Sequence, residues 1–138
     1  MRFINVLILL AVLFGAVWLY IYVEEFAKWI GVLDFAVTFS STWEFVIKSI
    51  IPHVLIIYLV LAVAGAVLCY VVDSSVPLKW CLALGFLCAL ANLLAFSSPS
   101  MEWVLLNTLI SLGMLAAPVL GGYLIKRRAW RVPRGPRN

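Results

Sequence analysis

Lys48, His53, Asn92 and Asn107 are the residues whose types and positions offer chemistry. All four stand inside or at the edge of long apolar stretches. An ionisable or strongly hydrogen-bonding side chain in such a setting is a candidate for a ligand, ion or proton site. Lys48 and His53 start from the same end of one stretch. Asn92 and Asn107 flank a turn centred between Pro99 and Ser100 and are equally far from its tip, so they reach the same depth. Together the four define a candidate intramembrane polar cluster, a small pocket open to the outer surface. A plainer reading needs no ligand. Lys48 is one turn from Glu44 and reaches the headgroups, His53 is neutral and bonded to a neighbouring helix, and each interhelical Asn bond holds helices together with about 1 kcal/mol.

No catalytic constellation accompanies these residues. His53 has no carboxylate or cysteine near it on its own helix, and all six acidic residues fall in loops or at the ends of apolar stretches. Hydrolysis requires a nucleophile with a base, a carboxylate pair or a metal, and coupled transport often requires a buried carboxylate. Cys69, Cys81 and Cys88 show neither metal-ligand nor redox spacing, and their odd number does not suit a disulfide framework. They read as small packing residues, with Cys69 and Cys81 level with each other on either side of a short loop. No enzyme, metal or cofactor is expected.

The elements that must position these groups follow from hydrophobicity. Of 138 residues, 66% are hydrophobic and 12% charged, against about half and about a quarter in a soluble domain. The apolar residues form blocks at 3–23, 45–72, 78–96 and 103–125, each near the ~20 residues that a helix needs to cross a hydrocarbon core. Helices satisfy their own backbone within lipid, and the short alternating segments of a β-barrel are absent. The expected fold is an all-α integral membrane protein, a compact bundle of four transmembrane helices. The first block runs through Trp18, Tyr20 and Tyr22 into Glu24 and Glu25 without a small-x-small cleavage site, and reads as a retained span.

Cations set the orientation. Lys126, Arg127, Arg128, Arg131, Arg134 and Arg137 follow the fourth block, whereas residues 24–44 carry Glu24, Glu25, Asp34 and Glu44 against Lys28 alone. Positive charge resists translocation, so both termini are expected in the cytoplasm, with residues 24–44 outside and 126–138 as a flexible basic tail. For a bacterial chain this means a multi-pass protein of the cell inner membrane. The tail attracts anionic headgroups at about 1 kcal/mol per cation. It lacks any folded nucleic-acid reader.

Local signals refine the picture. Phe26, Ile30, Leu33 and Val37 lie at helical spacing and predict a short interfacial helix in the outer loop. Ser41 with Glu44 fits a capping box for the second span, within which Pro52 releases the Lys48 carbonyl and predicts a kink. Pro118 predicts the same for the fourth. Pro77 opens the third helix, and Ser98 with Pro99 the fourth.

Small residues recur every four positions: Gly113, Ala117 and Gly121 on the fourth span, Cys81, Gly85 and Ala89 on the third, Ala11 with Gly15 on the first, and Ala62 with Ala66 on the second. Such faces let backbones approach closely, within the bundle or against another membrane protein, and the fourth span is the first choice for an outside partner. The functional expectation is a non-enzymatic accessory protein: a subunit, assembly factor or inhibitor of a larger envelope complex. The alternatives are a small homo-oligomeric channel or carrier, or a membrane-embedded immunity or lysis protein.

Overall fold

The computed structural model describes residues 2–31, 41–72, 77–95 and 101–129. These form α1 (Arg2–Trp29), α2 (Thr42–Phe45), a π-helical turn (Val46–Ile50), α3 (Ile51–Val71), α4 (Pro77–Ala95) and α5 (Met101–Ala129). Four of the helical segments are long and apolar enough to cross a membrane: Phe3–Trp29, Val46–Val71, Pro77–Ala95 and Val104–Arg127.

α3 is the hub, packing against α1, α4 and α5, while α1 touches α4 only marginally. Leu68, Leu84, Cys81 and Pro118 are completely enclosed where α3, α4 and α5 meet. α1 lies against the outer side of α3, where Leu9 and Ala16 pack with Val60, Ala64 and Leu68. One end of the bundle carries Glu24, Glu25 and Glu44 and is called the acidic end below. The other carries Lys79, Lys126 and Arg127 and is called the basic end.

Two boundaries differ from the sequence expectation. The first helix does not stop at Val23 but continues to Trp29, so residues 24–29 belong to α1 and not to a loop. Glu, Ala and Lys are good helix formers, and Lys28 bridges back to Glu24 at 2.9 Å and Glu25 at 3.0 Å, close to the helix C-terminus that favours a cation. The stop comes at Gly31, whose φ of 75° is the left-handed conformation that ends helices and favours glycine. Phe26 and Ile30, expected in an interfacial helix, therefore close α1; Leu33 and Val37 lie outside the described residues. Likewise the tail does not begin at 126, because α5 carries Lys126, Arg127 and Arg128 to Ala129 before it ends. Long cationic side chains suit a last helical turn for the same electrostatic reason. Residues 130–138, with Arg131, Arg134 and Arg137, lie outside the described residues, as do Ser98 and Pro99.

The other signals take visible form. The Ser41 hydroxyl accepts the Glu44 N–H at 3.2 Å, as a capping box requires, and the Glu44 carboxylate accepts from Lys48 at 2.6 Å. The break at Pro52 takes the form of a π-helical turn. Pro52 has no N–H and its ring crowds the Lys48 carbonyl. The chain widens just before it, and the Ile51 N–H reaches back five residues to Val46. Pro77 is the first residue of α4. Pro118 sits inside an uninterrupted α5.

Glycines set the spacing of the three inner helices. A β-carbon on Gly65 would run into the Pro118 backbone, one on Gly121 into the Ala62 backbone, and one on Gly85 would come within 2.8 Å of the Met114 carbonyl. That carbonyl is the one Pro118 cannot satisfy, so Gly85 brings α4 close at the point where α5 is missing a bond. Backbones at such short range gain dispersion contact along the whole interface.

Candidate functional site

The four polar residues marked in the sequence divide among three sets of partners. Asn92 and Asn107 meet as expected, the Asn92 amide donating to Asn107 Oδ1 at 2.6 Å, and they gain a third member in Ser111, whose Oγ accepts from the same amide at 3.0 Å. Ser111 is one turn beyond Asn107 on α5 and is 4% exposed. The sequence signal for it was available, since residues four apart share a helix face. The trio is neutral, and its geometry is that of an interhelical clamp.

Lys48 stands apart. Its side chain is 60% exposed and paired with Glu44 within the same helical stretch. The π-helical turn carrying Lys48 buries Ser49 instead.

His53 has a partner that the sequence reading did not name. Tyr20 of α1 crosses to α3 and places its hydroxyl 2.6 Å from Nε2 of the imidazole. The rings meet edge to face, with centroids 5.6 Å apart. One turn further along α1, the Glu24 carboxylate faces the Tyr20 hydroxyl and is electrostatically coupled to His53. Glu24 is in turn bridged by Lys28, which also holds Glu25. A continuous polar line thus runs from α3 through α1 to the acidic end. Because α1 continues past Val23 as helix, Glu24 falls one turn from Tyr20 and on the same face. A loop beginning at residue 24 hides that relation. His53 thus has a carboxylate near it, supplied across the helix interface and through a phenol.

The small-residue faces are used within the chain on α3, α4 and α5. Gly113 lies against Tyr58, whose hydroxyl donates to the Ile110 carbonyl at 3.0 Å. Ala117 and Ala89 are buried together with Leu61 and Met114. Gly122 closes on both cysteines: its β-carbon would meet Cys81 Sγ at 2.7 Å and Cys69 Cβ at 3.3 Å. The Cys81 thiol donates to the Gly65 carbonyl at 3.3 Å, and all three cysteines are free thiols. Among the described residues, no group of three or more His, Cys, Asp or Glu side chains is arranged to hold a metal ion.

α1 differs. A β-carbon on Gly15 would meet nothing within 4 Å. It lines a groove of about 410 Å³ between α1 and α3, bounded by Ala11, Gly15, Leu19, Val63 and Val67. On the next row of the same helix, Phe14, Trp18 and Tyr22 form a ladder of rings with centroids 6.2 and 6.0 Å apart, all exposed. Compared with known protein families, with characterised proteins and with solved structures, the chain matches none.

Proposed function

We propose that the chain is a multi-pass membrane protein that works by contact, as an accessory subunit, assembly factor or inhibitor of a larger complex in the cell inner membrane. Both termini lie in the cytoplasm in this reading, because Lys79, Lys126 and Arg127 gather at one end of the bundle while Lys28 and Lys48 at the other are each paired with glutamate. Lys126 and Arg127 near the end of α5 then meet anionic headgroups in this reading.

The observation that supports a contact role is the open space at Gly15. The same type of surface is filled by a neighbouring backbone at Gly65, Gly85 and Gly121. On α1 it is unfilled and flanked by a row of exposed aromatic rings, the side-chain type that most often anchors an interface. A small-residue face accepts a helix at close range, and α1 is the helix least covered by its own chain. The partner in this reading is a membrane helix of another protein.

The test is photocrosslinking in native membranes from probes at Trp18 and Trp29, with Ala117, buried between α3 and α5, as the internal reference. A contact role predicts a specific heterologous adduct from Trp18 and adducts confined to the chain itself from Ala117. Adducts from Trp18 to lipid alone would end this reading, and adducts only to a second copy would replace it with a homo-oligomeric channel or carrier.

A further inference from the structure

Tyr20, His53 and Glu24 have a property that helix packing does not require: each can give or take a proton, and they stand in series. With the neutral ring carrying its proton on Nδ1, the Tyr20 hydroxyl donates to Nε2 across 2.6 Å. The Glu24 carboxylate interacts with the same hydroxyl. A phenol between an imidazole and a carboxylate passes a proton by exchanging which neighbour it donates to, without moving a heavy atom. We propose that His53, Tyr20 and Glu24 form a proton-binding site inside the apolar bundle, loaded from the acidic end.

The proton count closes. A proton taken from water by Glu24 gives the neutral carboxylic acid. That acid donates to the phenol oxygen as the phenol's own proton moves to Nε2, so Glu24 is again an anion, Tyr20 again a neutral phenol, and His53 an imidazolium. The net change is one proton gained by the ring. In the loaded state Nε2–H donates to the phenol oxygen and the phenol hydroxyl donates to Glu24, so the anion balances the new cation through one intervening group.

The surroundings give the site a direction. Glu24 retains 20% of its side-chain exposure, and Lys28 and Glu25 beyond it are more exposed, so the acidic end meets water. The other titratable groups of the neighbouring helices lie away from this site. Lys79 of α4 and Tyr123, Lys126 and Arg127 of α5 belong to the opposite end, and the thiols of Cys69, Cys81 and Cys88 lie along the intervening length. Tyr58, on α3 itself, donates its hydroxyl to Ile110. Lys48, above His53 on the same stretch, is held by Glu44. The hydrated side of the site is therefore the acidic end, through Glu24.

The chain has one histidine, so ¹⁵N-histidine labelling gives a single set of imidazole signals from the full-length protein in lipid nanodiscs. The ring is expected to gain a proton when the medium is acidified, which its ¹⁵N signals report directly. Removing the relay in Tyr20→Phe, or the proton acceptor in Glu24→Gln, is expected to slow that exchange on the order of tenfold or more, since a positioned acid or base commonly contributes at least that much. Tyr22→Phe, on the exposed ladder, serves as the control and should leave the rate unchanged. A ring that remains neutral throughout overturns the proposal, as does exchange in both relay variants as fast as in the parent. A purely structural Tyr20–His53 contact predicts faster exchange in Tyr20→Phe, because loosened packing admits water. Should Tyr20→Phe fail to fold, Glu24→Gln, at the hydrated edge, carries the test alone.

Discussion

Asn92 of α4 sits 2.6 Å from Asn107 of α5 and, with the same amide group, 3.0 Å from Ser111. One side chain thus ties two positions of the facing helix. Replacing Asn92 with alanine removes both bonds and leaves the Ser111 hydroxyl without its interhelical donor. We expect a loss of about 1 kcal/mol, the usual size for interhelical polar contacts. Reversible unfolding in mixed micelles measures this, and an unchanged midpoint would show the clamp to be energetically idle.

Glycine positions offer a sharper contrast. Gly65→Ala places a methyl group into the Pro118 backbone, which has no side-chain freedom with which to yield. A cost of about 1–3 kcal/mol is expected from such overpacking. Gly15→Ala meets open space and should be neutral or, through helix propensity, slightly stabilising in the isolated protein. In native membranes, Gly15→Leu should abolish the Trp18 crosslink while leaving the thermal midpoint of the purified protein unchanged. Loss of both together would mean that Gly15 serves the fold and not a partner.

Pro52 holds the π-helical turn open. In Pro52→Ala the restored N–H can bond the Lys48 carbonyl, and the turn can close to an α-helix. Closing it rotates the preceding residues by about 100° relative to α3. Ser49, only 4% exposed, would swing out of the bundle. A Ser49→Cys probe should therefore label several-fold faster with a thiol reagent in the Pro52→Ala background. Equal labelling in both backgrounds would mean that the wide turn is fixed by packing instead of by proline.

Orientation is tested by charge. Neutralising Lys126, Arg127 and Arg128, together with Arg131, Arg134 and Arg137, removes most of the positive charge that the proposed topology places in the cytoplasm. We expect a mixed population, with a reporter fused to the C-terminus found on both sides of the membrane. A reporter that stays on one side would assign the orientation to the glutamates at the acidic end or to α1.

Much of this architecture is legible in the residues because lipid-scale hydrophobic length depends on composition alone. The four long helices and the equal depth of Asn92 and Asn107 need nothing but counting. Helix ends were harder: hydropathy falls at Glu24 and at Lys126, but the helix does not, because Glu24–Lys28 pairing and the preferences of a helix C-terminus are insensitive to hydropathy. The grouping of His53 was harder still. Its partner is chosen by how α1 leans on α3, and a stretch of apolar residues without strong periodicity does not say which face of a helix meets which neighbour. Tyr20 therefore reads as one aromatic among several until the two helices are placed together. The small-residue faces can be read as close-packing surfaces. Which of them lacks a neighbour cannot.

The central place of α3 also bears on how the protein is made. α1 leaves the ribosome well before the helix it leans on, and until α3 arrives Tyr20 and Glu24 have no imidazole beside them. α3 in turn has its other flank closed by α5, the last of the four to be synthesised. The packing around α3 is therefore complete only once α5 has been made. A chain stalled before Met101 leaves the Gly65 surface of α3 without the Pro118 backbone that fills it.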